Sequence, residues 1–200
     1  GATLVHTHVV MPYTYVAVDI EADGPVPGLF SMRSLAAVAF RPHAGVVAEF
    51  ATNLLPLSSA TTHEATMEWW AKRPGQWDLL QSNPRPAKAA IESFVSFLDE
   101  VAPSEGDLVF VSDYVGFDLQ FIRWYTVNFT GRDPFWTRQL DLMSYASALT
   151  RRPQPTHTSR NVPSRWLLET KHDHTALHDA QSHASLAMAM LRENRQEDFG

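Results

Sequence analysis

Residues Thr14 to Ile20 read Thr-Tyr-Val-Ala-Val-Asp-Ile, a short apolar run rich in β-branched side chains, with Asp19 just before its last apolar residue and Glu21 just after it. Such a run predicts a buried strand, which Glu21-Ala-Asp-Gly-Pro then breaks. The constraint lies in how the strand ends. It is apolar on both sides, so a carboxylate at its end sits where burial is costly unless a metal ion or a hydrogen-bond partner meets it. Acids two positions apart project to one side of an extended strand, so Asp19 and Glu21 can converge on one point. Whatever this chain folds into must take that strand inside and leave its two acids something to hold.

Leu35 to Phe40 and Val46 to Asn53 predict two further strands, and the Arg-Pro-His-Ala-Gly between them supplies turn chemistry, so a hairpin-like pair is expected beside the first strand. Thr66 to Lys72 predicts a short helix ended by Arg73-Pro74. Pro86 to Glu100 predicts a longer one, with Ile91, Phe94, Val95 and Leu98 at helical spacing. Asp107 to Ser112 is another buried-strand signal. Phe117 to Val127 then repeats apolar residues helically through Phe121, Ile122, Trp124 and Tyr125, which places Asp118 in a first helical turn just beyond a strand end. Gln139 to Leu142 predicts a short strand leading into a helix from Met143 to Leu149. Arg151 to Pro163 is a loop rich in Pro, Ser, Thr and Arg, long enough to act as a flap. Ala176 to Leu191 closes the pattern as a helix whose apolar side is Leu177, Ala180, Ala184, Leu186, Ala187 and Met190. Strands first and then alternating helices and strands fit an α/β architecture, a mixed central sheet with helices on both faces. Without an internal repeat or a second core pattern, 14–194 reads as a single domain between a lead (1–13) and a polar tail (195–200).

The 200 residues are 44% hydrophobic and 19% charged, ordinary for a soluble globular chain. No apolar run approaches the roughly 20 residues that span a bilayer, and no basic segment followed by an apolar one opens the chain, so a cytoplasmic location without a membrane partner is expected. The lack of cysteine excludes disulfides and thiolate metal sites, leaving His and carboxylates as the strong ligands. A formal charge of −6 argues against extensive binding along a nucleic-acid duplex. A short contact near a strand end fits better, and bound metal ions would cancel part of the charge.

Two later segments add to the strand pair: Asp118 in Val-Gly-Phe-Asp-Leu-Gln-Phe-Ile, and Asp179 in His-Thr-Ala-Leu-His-Asp, which His174 opens. Four clustered acids would repel one another unless cations sat between them. Hard divalent ions prefer carboxylate and water oxygens, and two of them roughly 4 Å apart can clamp the attacking and leaving oxygens of a phosphodiester. In this order, D-x-E, then F-D, then H-x-A-x-x-D, the segments resemble the DEDDh family of 3′→5′ exonucleases, from about Tyr15 to about Met190. A lone D-x-E is a weak signal; three elements in order are a strong one. One departure is that members often carry His-Asn shortly before the central Phe-Asp, where this chain has Asp113-Tyr114.

The resemblance implies an RNase H-like fold and two divalent cations, Mg²⁺ or Mn²⁺. One would be held by Asp19, Glu21 and Asp179, the other chiefly by Asp19 with Asp118. It implies further that His174 serves as general base toward the attacking water, that the partner is the 3′ end of single-stranded DNA or RNA, and that a nucleoside 5′-monophosphate leaves. A homodimer stays open.

Plainer readings stand beside these. Asp118 could simply complement its helix N-terminus, and Asp113 competes with it locally. The Lys171 to Asp179 segment holds three His but no closed zinc set, and His172, His178 and His183 read as surface or packing residues. Trp69 and Trp70 offer stacking faces for single-stranded bases. Adjacent helical residues point about 100° apart, however, so at least one of the two is expected in the core. Phe30 and Met32 either wedge against a terminal base or pack under the turn. Arg151, Arg152, Arg160 and Arg165 either hold phosphates or form a solvated loop. The competing functions are a catalytically degenerate nucleic-acid-binding module, whose sign would be a missing acid, and another metal-dependent phosphohydrolase, for which no Asp-nucleophile motif is present.

Overall fold

The opening run is a strand, β1 (Thr14–Ala22), and its alternate residues enter two different cores: Val16, Val18 and Ile20 one, Ala17 the other. Asp19 and Glu21 share the parity of Ala17. The computed structural model describes residues 13–103, 107–152, 161–167 and 174–197. After β1 come β2 (Met32–Arg41) and β3 (Gly45–Asn53), then helices α1 (Glu64–Ala71), α2 (Pro74–Leu80) and α3 (Ala87–Val101). The chain continues through β4 (Leu108–Ser112), α4 (Val115–Thr130), β5 (Gln139–Asp141), α5 (Leu142–Thr150), a 3-10 turn (Ser164–Trp166) and α6 (Ala176–Glu197).

The five strands form one mixed sheet in the order β3-β2-β1-β4-β5. β2 pairs antiparallel with β3, as the turn chemistry predicts; β1 also pairs antiparallel with β2, while β1, β4 and β5 run parallel. β2 lies inside the sheet, between β3 and β1, and is covered on both faces, so every residue from Met32 to Phe40 is buried. Residues of α3 and α4, among them Ile91, Phe94, Phe121 and Ile122, pack on the Val16 side. Residues of α5 and α6, among them Met143, Ala180 and Ala184, pack on the Ala17 side. This is the architecture the sequence predicts.

There are three local differences, the first two with a direct physical reason. Pro74 ends α1 but also opens α2, because a residue without an N–H is well placed in a first helical turn. Asp141 caps α5, its carboxylate accepting hydrogen bonds from the backbone N–H groups of Ser144 (2.8 Å) and of Val115 on α4 (3.2 Å). That is why both helices begin earlier than apolar periodicity indicates. α6 runs on through Glu197, past the expected start of the tail at 195. The lead up to residue 12, most of the Arg151 to Pro163 loop with Arg160, and His172 lie outside the described residues. Among those described, no helix is long and apolar enough to cross a membrane.

Candidate active site

β1 pairs with β4 only as far as Ala17 and Val111, so its last residues run beyond their parallel neighbour. There the N–H of Ile20 donates to the Asp118 carboxylate instead, Oδ1 lying at 3.1 Å. Asp118, in the first turn of α4, thus continues the ladder where the strand stops and arrives beside Asp19 and Glu21. The position lies at the carboxyl end of parallel strands, where the chain leaves β1 toward β2 and leaves β4 toward β5. Crevices form at such a divergence in open α/β sheets.

The resulting cleft, about 360 Å³, is lined by Asp19, Glu21, Asp118, His174 and Asp179 together with Asp113, Tyr114, Phe117 and His183. All five residues singled out by the three motifs therefore meet in one hollow. Within it, one carboxylate oxygen each of Glu21 and Asp179 and one ring nitrogen of His174 lie within 4.8 Å of one another. His174 has a left-handed backbone, φ 56°. That conformation is uncommon for a residue with a Cβ.

The electrostatics are those of crowded, buried acids. Burial drives the Asp19 carboxyl well above the usual carboxylate range, and the charges of Glu21, Asp118 and Asp179 drive it further. Glu21 is raised in the same way, by burial and then by Asp179 and Asp118. Burial pushes Asp118 up to about 7 against the opposing pull of His183. Asp19 Oδ2 is buried and has no hydrogen-bond partner among the described residues. An acid left in that state favours neutralisation by a proton or a cation. The all-oxygen acid set, with one imidazole at its rim, suits a hard divalent ion.

A smaller hollow of about 190 Å³ adjoins the cleft, sharing Glu21 and Phe117 with it and adding Ala22, Gly24, Pro25, Thr66, Trp69 and Trp70. The two tryptophans differ. Trp70 is 2% exposed, and its indole N–H donates to the Ala22 carbonyl at 3.0 Å, fixing the end of β1 from below. Trp69 is half-buried, edge-on to the His174 ring at a centroid distance of 5.2 Å, with the Arg73 guanidinium 3.7 Å from its own centroid.

Met32 and Trp70, both expected as substrate contacts, are buried. Met32 is wholly buried at the start of β2, and its backbone N–H donates to the Tyr125 hydroxyl. The Met32 side chain is enclosed, and Trp70 reaches the smaller hollow with only its 2% of exposed surface. Phe30 is half-buried and lies over Gly24, where an added Cβ would come within 2.2 Å of its ring, and it makes an edge contact with His63. This is the packed-turn arrangement. Arg165 pairs with Glu193 at 2.7 Å.

Asp113 and His183 bring a second side-chain pair into the cleft. His183, expected at the surface or in packing, is 3% exposed, and its Nε2 lies 3.2 Å from Asp113 Oδ1. Burial lowers its proton affinity, but Asp113, Asp118 and Asp179 together outweigh that and raise it. The sequence signal was available in the spacing, since His183 follows Asp179 by four residues and so shares its helix face.

The family model described as the 3′-5′ exoribonuclease Rv2179c-like domain matches residues 14–191. The 3′-5′ DNA exonuclease Cap18 of Escherichia coli is 31% identical over 173 residues, covering 86% of this chain and 88% of that protein. Among solved structures, E. coli exonuclease I in complex with a dT13 oligonucleotide superposes with a TM-score of 0.67 at 18% identity over 94% of this chain. The chain spans 43% of the length of that enzyme. The nuclease domain of 3′hExo, a DEDDh family member bound to rAMP, superposes with a TM-score of 0.70 at 12% identity, covering 92% of this chain and 94% of that one. The fold is RNase H-like.

Proposed function

The chain belongs to the Rv2179c-like 3′-5′ exoribonuclease domain family, and from that premise we propose that its cleft hydrolyses the 3′-terminal phosphodiester of single-stranded DNA or RNA, releasing nucleoside 5′-monophosphates. The observation that carries this reading is the convergence of Asp19, Glu21, Asp118, Asp179 and His174 on one cleft in which a buried Asp19 oxygen lacks a partner. Asp19, Glu21, Asp118 and Asp179 would hold two divalent cations, Mg²⁺ or Mn²⁺. When bound, such ions polarise the phosphate and stabilise the attacking and leaving oxygens. His174, at the rim, accepts the proton of the attacking water. The water oxygen bonds to phosphorus as the P–O3′ bond breaks, and the 3′ oxygen leaves with a proton from solvent. Trp69 forms one wall of the adjoining hollow and stacks the terminal base.

The direct test is degradation of end-labelled single-stranded RNA and DNA in Mg²⁺ or Mn²⁺, with products resolved by length. A 3′-labelled strand releases labelled mononucleotide at the outset, and a circular strand stays intact. Efficient cutting of the circle would make the enzyme an endonuclease.

His174→Ala should slow single-turnover cleavage by roughly 10²- to 10⁴-fold, the usual range for a lost proton acceptor. Calorimetric Mn²⁺ affinity should change far less. Loss of Mn²⁺ binding, with cleavage restored at high Mn²⁺, would make His174 a ligand instead, consistent with its nearness to Glu21 and Asp179.

The two tryptophans should separate cleanly. Trp69→Ala removes a stacking face worth about 1–3 kcal/mol per base, so KM for short strands rises while the melting temperature barely moves. Trp70→Ala empties a core position and costs about 3–5 kcal/mol of stability. Equal effects of the two on KM would contradict the assignment of Trp69 to the substrate.

A further inference from the structure

Asp118 and Asp179 reach the cleft from helices on opposite faces of the sheet, α4 and α6, so nothing within either helix sets their separation. A side-chain link between the two sides lies beside them. Asp113 stands in the turn between β4 and α4, and His183 lies one helical turn after Asp179 on α6. Their side chains meet at 3.2 Å, with 13% and 4% of each exposed, and both line the same cleft as the acids. The other ring nitrogen of His183, Nδ1, is buried with no hydrogen-bond partner among the described residues, so the ring takes its orientation from Asp113. A buried, singly anchored imidazole is a poor packing residue, because an apolar side chain would fill the same space without stranding a nitrogen.

We infer that the Asp113–His183 pair is a positioning clamp, which ties the β4–α4 turn to α6 and thereby sets the spacing of the Asp118 and Asp179 carboxylates. This rests on the reading of those acids as cation ligands. In this role each acts through a nearby acid, Asp113 on Asp118 in the first turn of α4 and His183 on Asp179 one turn earlier in α6. Partners of this kind, one step removed from a metal, commonly change metal affinity by about 10- to 100-fold when altered.

The test uses two substitutions that separate length from charge. Asp113→Asn keeps the shape and an acceptor oxygen for the imidazole N–H. Asp113→Glu keeps the charge but moves the acceptor by about one carbon–carbon bond, ~1.5 Å. Mn²⁺ affinity is measured by calorimetry on the intact chain, beside kcat and KM at saturating Mn²⁺ and the melting temperature in EDTA. A clamp predicts that Asp113→Glu weakens Mn²⁺ binding by roughly 10- to 100-fold and lowers kcat with KM little changed, while Asp113→Asn stays within a few-fold of wild type. His183→Ala should match Asp113→Glu, and the double variant should lose no more than either alone, since both remove one link. Greater damage from Asp113→Asn than from Asp113→Glu would show that charge rather than reach matters, and would overturn the clamp. Additive losses, or a change confined to the melting temperature, would overturn it as well. Wild-type protein that takes up no Mn²⁺ would remove the cation reading itself, an outcome distinct from every variant result.

Discussion

Asp19→Asn is expected to abolish turnover while leaving the metal-free fold as stable as wild type or more so. The substitution removes a ligand charge with almost no change in volume, so activity should fall by at least about 10²- to 10³-fold, the range for losing one preorganised electrostatic stabiliser. The stability half of the expectation follows from the geometry. Burial and four neighbouring acids, Glu21, Asp118, Asp179 and Asp113, all penalise the Asp19 charge, and one of its oxygens has no partner among the described residues, so a neutral side chain relieves a conflict in the absence of metal. Single-turnover cleavage at saturating Mn²⁺ and thermal melting in EDTA measure the two halves. Turnover comparable to wild type would remove Asp19 from the cation site. A strongly destabilised variant would mean that its carboxylate holds the fold together.

The second large effect is the dependence of metal-free stability on pH. Asp118 titrates near 7 in the folded protein against an ordinary 3.8, so between those values the folded chain holds a proton that the unfolded chain has released. Fewer protons bound in the unfolded state make stability fall as pH rises, from about 4 to about 7. Asp19 and Glu21, also raised, act in the same direction. So does His183: its folded proton affinity is raised, and the stability this gives is present below its unfolded value and lost as pH climbs through the folded one. A shift of this size at Asp118 corresponds to roughly 4 kcal/mol, or a fall on the order of 10 °C in melting temperature. Below about pH 4 the trend reverses, as carboxylates paired with Arg, such as Asp99 with Arg132, take up protons. If the acids hold cations as proposed, saturating Mn²⁺ should bind the folded state and restore the melting temperature at pH 7.5. Melting curves in EDTA from pH 4.5 to 8, repeated with Mn²⁺, test this. A metal-free melting temperature that rises across that interval would refute the crowded-acid description.

What was legible in the sequence was whatever period and order encode. Strand parity put Asp19 and Glu21 on one side, helical spacing put Asp118 in a first turn, and both placements recur in the structure. The α6 apolar stripe and the antiparallel pair of β2 and β3 were equally plain. Less was legible where a residue has two uses or a contact joins distant segments. Pro74 stops one helix and starts the next, and only the stop was visible. Trp69 and Trp70 share a composition signal, but which of them faces inward depends on where β1 ends. Met32 precedes the strand expected from Leu35, yet β2 begins at Met32 and buries it together with Arg33 and Ser34. The meeting of Asp113 with His183 depends on α6 crossing the sheet near the end of β4, and no local pattern reports that.

The Trp69 ring is shared: its edge geometry involves His174 and its face carries Arg73. Whatever occupies the adjoining hollow against that ring is thermodynamically linked to the imidazole beside it. Linkage is reciprocal, so the factor by which a stacked base shifts the seating of His174 is the factor by which the seating of His174 shifts affinity for the base. Recognition and proton transfer then cannot be tuned independently. On the proposed reading, strands whose last residue stacks poorly should bind less tightly and should also meet a less settled His174, so discrimination among 3′ ends is expected in kcat as well as in KM.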